Sequence, residues 1–590
     1  MLRSAFLLAL LAATPVLHAA PDLVTVSERS GFTATGRYDE VVKLCSAFQQ
    51  AYPKQVKCFQ FGTTPEGRPM LALAINAKGV FTPEAARKQG LPVTLIQGGI
   101  HAGEIDGKDA GFLALREMLD KNIENKLNRG VLDKQVLLFV PVFNVDGHER
   151  FAKWNRPNQR GPVEMGWRTT AQNFNLNRDY VKADAPEMQA MLAMVNAWDP
   201  LTYVDLHVTD GAKFQHDVSI QVEPVYSGDP AFRKAGLALR AGVIEDISKQ
   251  GSSPQSYYMS FRETDDPASG FVDSVSDPRF STGYFQLRNR MAMLVETHSW
   301  KDYPTRVRIT HNAFVSVLQQ VARHGAEWQQ AAAAADARAT HIAGQPVALT
   351  YKTTDKTTMV DFQGYAYTRT MSDVSGMLMT HYDESKPQVW HVPLRDEVVE
   401  DLQVKAPGAG YVVPAAWAQI VAARLAQHGI GYRTLDKAVA GAAVETFRAD
   451  QATFSATSFE SHQRLKVEGS WKAEPRALAK GALFVPIAQP KARLVMALFE
   501  PQAPDSLLAW GAFNNAFERK EYMEEYVAED VAREQMAKDP ALAAAFRKKV
   551  ESDPAFAKNP HARLEFFARR HASWDERLNL YPVMRTDSVL

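Results

Sequence analysis

The sequence predicts an α/β fold built on a mixed, largely parallel sheet. Apolar runs of strand length occur at 71–75, 93–97, 136–142, 201–206, 220–224 and 291–295. Segments with helical periodicity lie between them, among them 110–119, 186–197 and 229–249. Four of the apolar runs are followed at once by polar residues able to bind metal or move protons. Alternating strand and helix patterns give α/β sheets, whose sites form at the carboxyl ends of strands.

Taken in order, the chain opens with Arg3 and a mostly apolar stretch from Ala5 to Leu17, then Ala19 and Ala20 before Pro21. Residues 1–20 read as a signal peptide, which implies a secreted or periplasmic protein. The stretch is shorter than the ~18 residues a membrane span needs. No other run is longer, so no integral membrane segment is expected. A helix at 39–52 and a strand at 56–61 carry the two cysteines of the chain, Cys45 and Cys58. In an exported protein such a pair is expected to form a structural disulfide, the alternative being two buried thiols.

At 590 residues the chain exceeds one ordinary domain. A catalytic domain is expected over 21–340, its last helix ending in the alanine-rich stretch 329–339. Residues 341–590 form a second region. It reads as short β-rich segments over 345–405, a helix over 414–428 framed by Pro414 and Gly429, β-like texture over 440–500, and a charged helical end. Lys+Arg and Asp+Glu both number 67. This balance gives no footprint for nucleic acid. Oligomeric state is not legible.

The chemistry concentrates behind the strands. His101 and Glu104 follow the run at 93–97; Asn144, Asp146 and Gly147 follow 136–142; His207 and Asp210 follow 201–206; Glu296 follows 291–295. Catalytic zinc takes three protein ligands, imidazole nitrogen and carboxylate oxygen among them, and keeps one position for water. His101, Glu104 and His207 supply such a set. Spacing alone is weak evidence, since it recurs at His381 and Glu384, where no apolar run delivers it; that recurrence reads as a surface turn. Glu296, at the end of a buried strand, is the expected general base. Ligand histidines need an acceptor behind them, and Asp146 (for His101) and Asp205 (for His207) are the candidates. Asn177 and Arg178 can clamp a terminal carboxylate through the planar guanidinium fork. Either Arg156 or Arg160 can support an oxyanion near the metal.

These residues, in this order, resemble the zinc carboxypeptidase family, carboxypeptidase A-like in fold. The resemblance rests on His101 and Glu104; Pro141-Val142-Phe143-Asn144-Val145-Asp146-Gly147; Arg156 or Arg160; Leu176-Asn177-Arg178; His207; and Glu296. It covers about residues 37 to 330. It implies a three-layer α/β domain with one Zn2+ per chain, held by His101, Glu104 and His207. Glu296 would pass a proton from water to the leaving amine. Asn177 and Arg178 would hold the substrate's carboxylate, and Arg156 would support the oxyanion. A substrate-covering tyrosine is also implied, with Tyr284 nearest and Tyr257 and Tyr258 as alternatives. The implied substrate is a peptide or peptidoglycan-type stem with a free C-terminal carboxylate. Val145 replaces the usual proline of the turn, and His298 follows Glu296 closely enough to modulate it. Residues 345–590 have no counterpart, and the distinctive stretch 499–511 carries no chemistry that the sequence reveals. Two other readings stand beside this one: an aspartoacylase-like zinc amidase or deacylase, and a silent zinc-containing module that binds cell wall or protein.

Overall fold

The apolar runs become the strands of one eight-stranded sheet. A computed structural model describes residues 21–120 and 130–590; the signal-peptide expectation falls outside them. The strands are β1 (Val56–Thr63), β2 (Pro69–Ile75), β3 (Val93–Gly98), β4 (Val136–Val140), β5 (Thr202–Thr209), β6 (Val218–Glu223), β7 (Pro254–Gln255) and β9 (Met291–His298), in the order β1-β2-β4-β3-β5-β9-β6-β7. The short β8 (Phe271–Val272) belongs to another sheet. The central strands β4, β3, β5 and β9 are parallel, and β2 and β6 flank them antiparallel. Every residue of β3, β4 and β5 is buried. Burial on both faces is why these runs are continuously apolar instead of alternating.

Helices cover both faces. On one, Phe139 of β4 packs edge-on against Phe112 of the helix Asp106–Leu119 and Phe314 of the helix Tyr303–Ala339. On the other, Tyr203 of β5 stacks on Phe285 of the helix Ser281–Gln286, with ring centroids 4.2 Å apart. Side chains alternate along a strand, so Asp205 and His207 share the face of Tyr203. His207 and Glu296 are register partners on adjacent parallel strands. That register aims both at the same space. Cys45, in the helix Tyr38–Ala51, is joined to Cys58 of β1 by a disulfide with Cα atoms 5.4 Å apart.

After Ala339 the architecture turns to β. Short segments are expected over 345–405, but the chain forms a long ribbon of Thr358–Met371 and Leu378–Arg395, 14 and 18 residues. Its base pairs parallel to β8 through Leu394 and Arg395. The ribbon extends because only its lower part is buried, around Phe362 and Trp390, leaving no apolar alternation to mark its length. A six-stranded sheet follows, flanked by the helix Ala415–Gln427, and Met584–Thr586 returns to it. The β-like texture over 440–500 ends in a helix, Ala492–Phe499, apolar on nearly every side. Periodicity cannot separate such a short apolar run from a strand. One apolar core runs through both halves of the chain, from Leu23 to Val583. Among the described residues no helix is long and apolar enough to cross a membrane.

Candidate active site

At the end of β3 the backbone reverses through Gly99, at φ +63°, and delivers His101 and Glu104 before the helix Asp106–Leu119 begins. Gly103 is needed for closeness: a Cβ there would lie 2.6 Å from Cγ of Arg156 and 2.8 Å from the Gly166 carbonyl oxygen. Ligand atoms of His101, Glu104 and His207 all lie within 4.8 Å of one another, and the three residues are buried. Nδ1 of His101 lies 2.9 Å from Glu104 Oε1, and Nδ1 of His207 lies 2.9 Å from Glu104 Oε2. The two Nδ1 atoms and the carboxylate therefore converge. Behind them, His101 Nε2 lies 3.2 Å from Asn175 Oδ1 and His207 Nε2 lies 2.9 Å from Asp205 Oδ1. Asn175 at His101 Nε2 and the Asp205 charge beside His207 Nε2 both favour a proton on that nitrogen, with Nδ1 of each ring facing inward. Two imidazoles and one carboxylate are a donor set that suits zinc.

The electrostatics of the cluster are divided. Burial lowers the His101 imidazolium to about 4. Burial also opposes the charged form of His207, but the Asp205 carboxylate outweighs it and holds that ring well above its ordinary value, so zinc binding there would have to displace the Nδ1 proton. Burial disfavours ionisation of Glu104, yet His101 and Arg156 keep it well below the usual range. Burial pushes Glu296 up to about 8.

His101, Glu104, His207 and Glu296 open on one cavity of about 530 Å³, which Asn177 and Arg178 also line. The turn Leu176–Arg178 is capped by Asn175, whose side chain accepts from Asn177 N at 3.2 Å. The Arg178 guanidinium carbon stands 4.4 Å from the centroid of the Phe280 ring. Arg156 places Nη1 3.1 Å from Glu104 Oε1, and its Nη2 donates to the Val208 carbonyl at 3.2 Å.

Several expected residues lie elsewhere. Tyr284 is fully buried, its hydroxyl 2.9 Å from His428 Nδ1 and accepting from Arg288 at 3.2 Å. The helix Ser281–Gln286 carries it into the core, away from the cavity. Tyr258 lines the cavity instead, its hydroxyl accepting from Thr209 at 2.8 Å, while Tyr257 packs on Phe271. Asp146 does not back His101. It accepts from Thr64, from Glu66 N and from Arg68, and so holds the β1–β2 turn. Arg160 points outward to Glu384, at 2.6 and 2.8 Å, so of these two arginines it is Arg156 that reaches the ligand cluster. Glu384 is not in a surface turn: a register shift beyond Asp383 bulges it from the ribbon, where it also meets Lys213 at 2.8 Å. His298 is buried and stacked on Phe214 at 4.0 Å, held far below its ordinary pKa by burial, and absent from the cavity wall.

Asn175 and Arg168 were not legible as site residues. Asn175 is one of several asparagines in 173–177, and nothing in that run marks which one caps the turn and also meets His101. Arg168 lines the cavity from a segment without regular structure, 3.7 Å from Glu104.

Inactive metallocarboxypeptidase ecm14 of Schizosaccharomyces pombe is 36% identical over 88 residues, 15% of this chain and 18% of that protein. Inactive metallocarboxypeptidase ECM14 of Saccharomyces cerevisiae is 29% identical over 134 residues, 22% of this chain and 30% of that protein. The chain thus spans less than a third of the length of either curated relative. Among solved structures, the metallo-carboxypeptidase from Burkholderia cenocepacia is similar at 18% identity and a TM-score of 0.35, over 47% of this chain and 68% of that one. Carboxypeptidase A from Helicoverpa armigera is similar at 14% identity and a TM-score of 0.34, over 51% and 74%. The family model described as Zinc carboxypeptidase matches residues 41–370. That is more than half of the 590 residues, and the chain belongs to the zinc carboxypeptidase family.

Proposed function

We propose that this protein is an exported zinc metallocarboxypeptidase, with the reaction carried by residues 21–340. One observation carries the reading: Glu296 is the register partner of His207, and both open on the cavity that Arg178 lines. A metal ligand, a free carboxylate and an anion-binding fork thus share one space. Zinc held by His101, Glu104 and His207 would act as a Lewis acid and lower the pKa of bound water.

The chain's own residues account for the rest. Asn175 and Asp205 hold the two imidazole rings in orientation. Glu296, whose ionisation the charge of bound zinc would favour, would accept the proton of the attacking water and return it to the leaving amine nitrogen. Arg156 donates to the substrate oxygen as it gains charge. Asn177 and Arg178 hold the terminal carboxylate of a peptide or peptidoglycan-type stem. Tyr258 is the tyrosine at the cavity. The N-terminal segment and the disulfide support placement outside the cytoplasm.

A catalytically silent zinc-containing module is the second reading, favoured by the names of the two yeast relatives. Glu296 argues against it, since binding alone needs no base. The zinc-loaded protein should remove C-terminal residues stepwise from a mixed peptide library followed by mass spectrometry. Glu296→Gln should lower kcat about 10²–10⁴-fold while zinc stays near one per chain. Internal cleavage would make it an endopeptidase. Full zinc content without any cleavage would establish the silent module.

A further inference from the structure

The stretch 499–511, to which the sequence assigned no chemistry, reaches Arg279, the residue before Phe280 of the cavity wall, through one carboxylate. The Asp505 side chain is fully buried. Its Oδ2 accepts from the backbone N of Arg279 at 2.9 Å, and its Oδ1 from Arg279 Nη1 at 2.8 Å. Arg464 Nη1 lies 3.6 Å from the same Oδ1. Arg464 also closes the stretch on itself, donating to the carbonyls of Ala509 and Pro504, with its guanidinium 3.9 Å from the centroid of Trp510.

On the other side, Arg279 is bonded to Phe280, and Phe280 and Arg178 both line the cavity. Two guanidinium groups stand over the Phe280 ring, Arg178 at 4.4 Å and Arg279 at 5.3 Å from its centroid. The Arg279 carbonyl accepts from Tyr180 N at 3.4 Å, just beyond the turn that carries Arg178. The buried Asp505 carboxylate thus holds the backbone of Arg279 and shares its side chain with Asp277, whose Oδ2 lies 2.5 Å from Arg279 Nη2. The next residue presents the face on which Arg178 rests. The ring and the Asn177 carbonyl, which accepts from Arg178 Nη1 at 2.8 Å, together limit where the guanidinium can point, and its orientation decides whether a bidentate bond to a carboxylate forms.

We propose that Asp505 is a positioning residue for carboxylate recognition: through Arg279 and Phe280, the C-terminal region sets the orientation of the Arg178 guanidinium. This rests on the reading that Arg178 holds the substrate's terminal carboxylate.

The test uses the full zinc-loaded chain and one peptide in two forms, with a free C-terminal carboxylate and with a C-terminal amide. The unaltered protein must prefer the free carboxylate; without that preference the Arg178 reading itself falls. Asp505→Ala is expected to raise KM for the free-carboxylate peptide ~10–100-fold, the weight of a charge-assisted hydrogen bond, with kcat and zinc content unchanged, and Asp505→Asn should recover part of the loss. Arg279→Gln should give the same split, and carries the test if Asp505→Ala has no cooperative thermal transition. In an Arg178→Ala background, Asp505→Ala should add nothing to KM. A preserved preference in the parent, with KM unmoved in both Asp505→Ala and Arg279→Gln, overturns the proposal. So does a fall in kcat or zinc content at constant KM, the signature of a merely structural role.

Discussion

Ionising a carboxyl group is costly where water cannot reach it, and Glu296 is 7% exposed. Its folded-state pKa is raised by burial from 4.5 to about 8. The folded protein therefore binds more protons at this residue than the unfolded chain does. Between those two values each rise in pH removes folded-state stability, and above the upper one the whole penalty is present. Glu296→Gln should accordingly stabilise the metal-free protein at pH 8–9, with the advantage vanishing near pH 4.5, as read from melting midpoints across pH. An unchanged difference at both ends would contradict the buried-base assignment. At this scale the sequence was legible where a strand delivers a residue: His101, His207 and Glu296 stand at strand ends whose register follows from the parallel sheet. It failed where nearness along the chain stood in for nearness in space. Tyr284 is closer in sequence to Glu296 than Tyr258 is, but a turn of helix takes it into the core.

Among the elements, the first helix and strand of the sheet edge depend on one covalent link. β1 is the outermost strand, and its burial pattern is mostly intermediate or exposed. Such an edge gains little from packing, so tying it to the helix Tyr38–Ala51 matters more there than it would at the centre. Cys45 and Cys58 are 13 residues apart. Closing a loop of that size contributes about 3 kcal/mol by constraining the unfolded chain. The pair Cys45→Ser and Cys58→Ser should lower the stability measured by denaturant unfolding by about that amount, leaving zinc binding intact. Elements with a strong pattern were read well, the helix Pro186–Trp198 from its period and the strands β3 and β5 from their unbroken apolar runs. The ribbon Thr358–Met371 and Leu378–Arg395 was not, because most of its length faces solvent on both sides and no hydrophobic alternation records the strand.

For the whole molecule, the boundary after Ala339 marks a change of texture more than a break in packing. Tyr284 reaches His428 at 2.9 Å, Arg424 reaches Asp184 at 2.6 Å and Arg279 reaches Asp505 at 2.8 Å, all from one side of that boundary to the other. The apolar core is continuous through both halves. A chain cut after Ala339 should therefore expose apolar surface, bind a hydrophobic dye and melt without cooperativity. A sharp calorimetric transition in that fragment would show that the two halves fold independently. The ligand set has a further effect at this scale. Glu104 and His207 are 103 residues apart and meet only when β3 and β5 are aligned. In the unfolded chain that closure is entropically opposed, so the unfolded protein is a poor chelator. Metal occupancy and folding are thermodynamically linked: at a free zinc concentration one hundred times the dissociation constant, the native state would gain about 2.7 kcal/mol. The sheet that places the ligands would then owe part of its own persistence to the ion they hold.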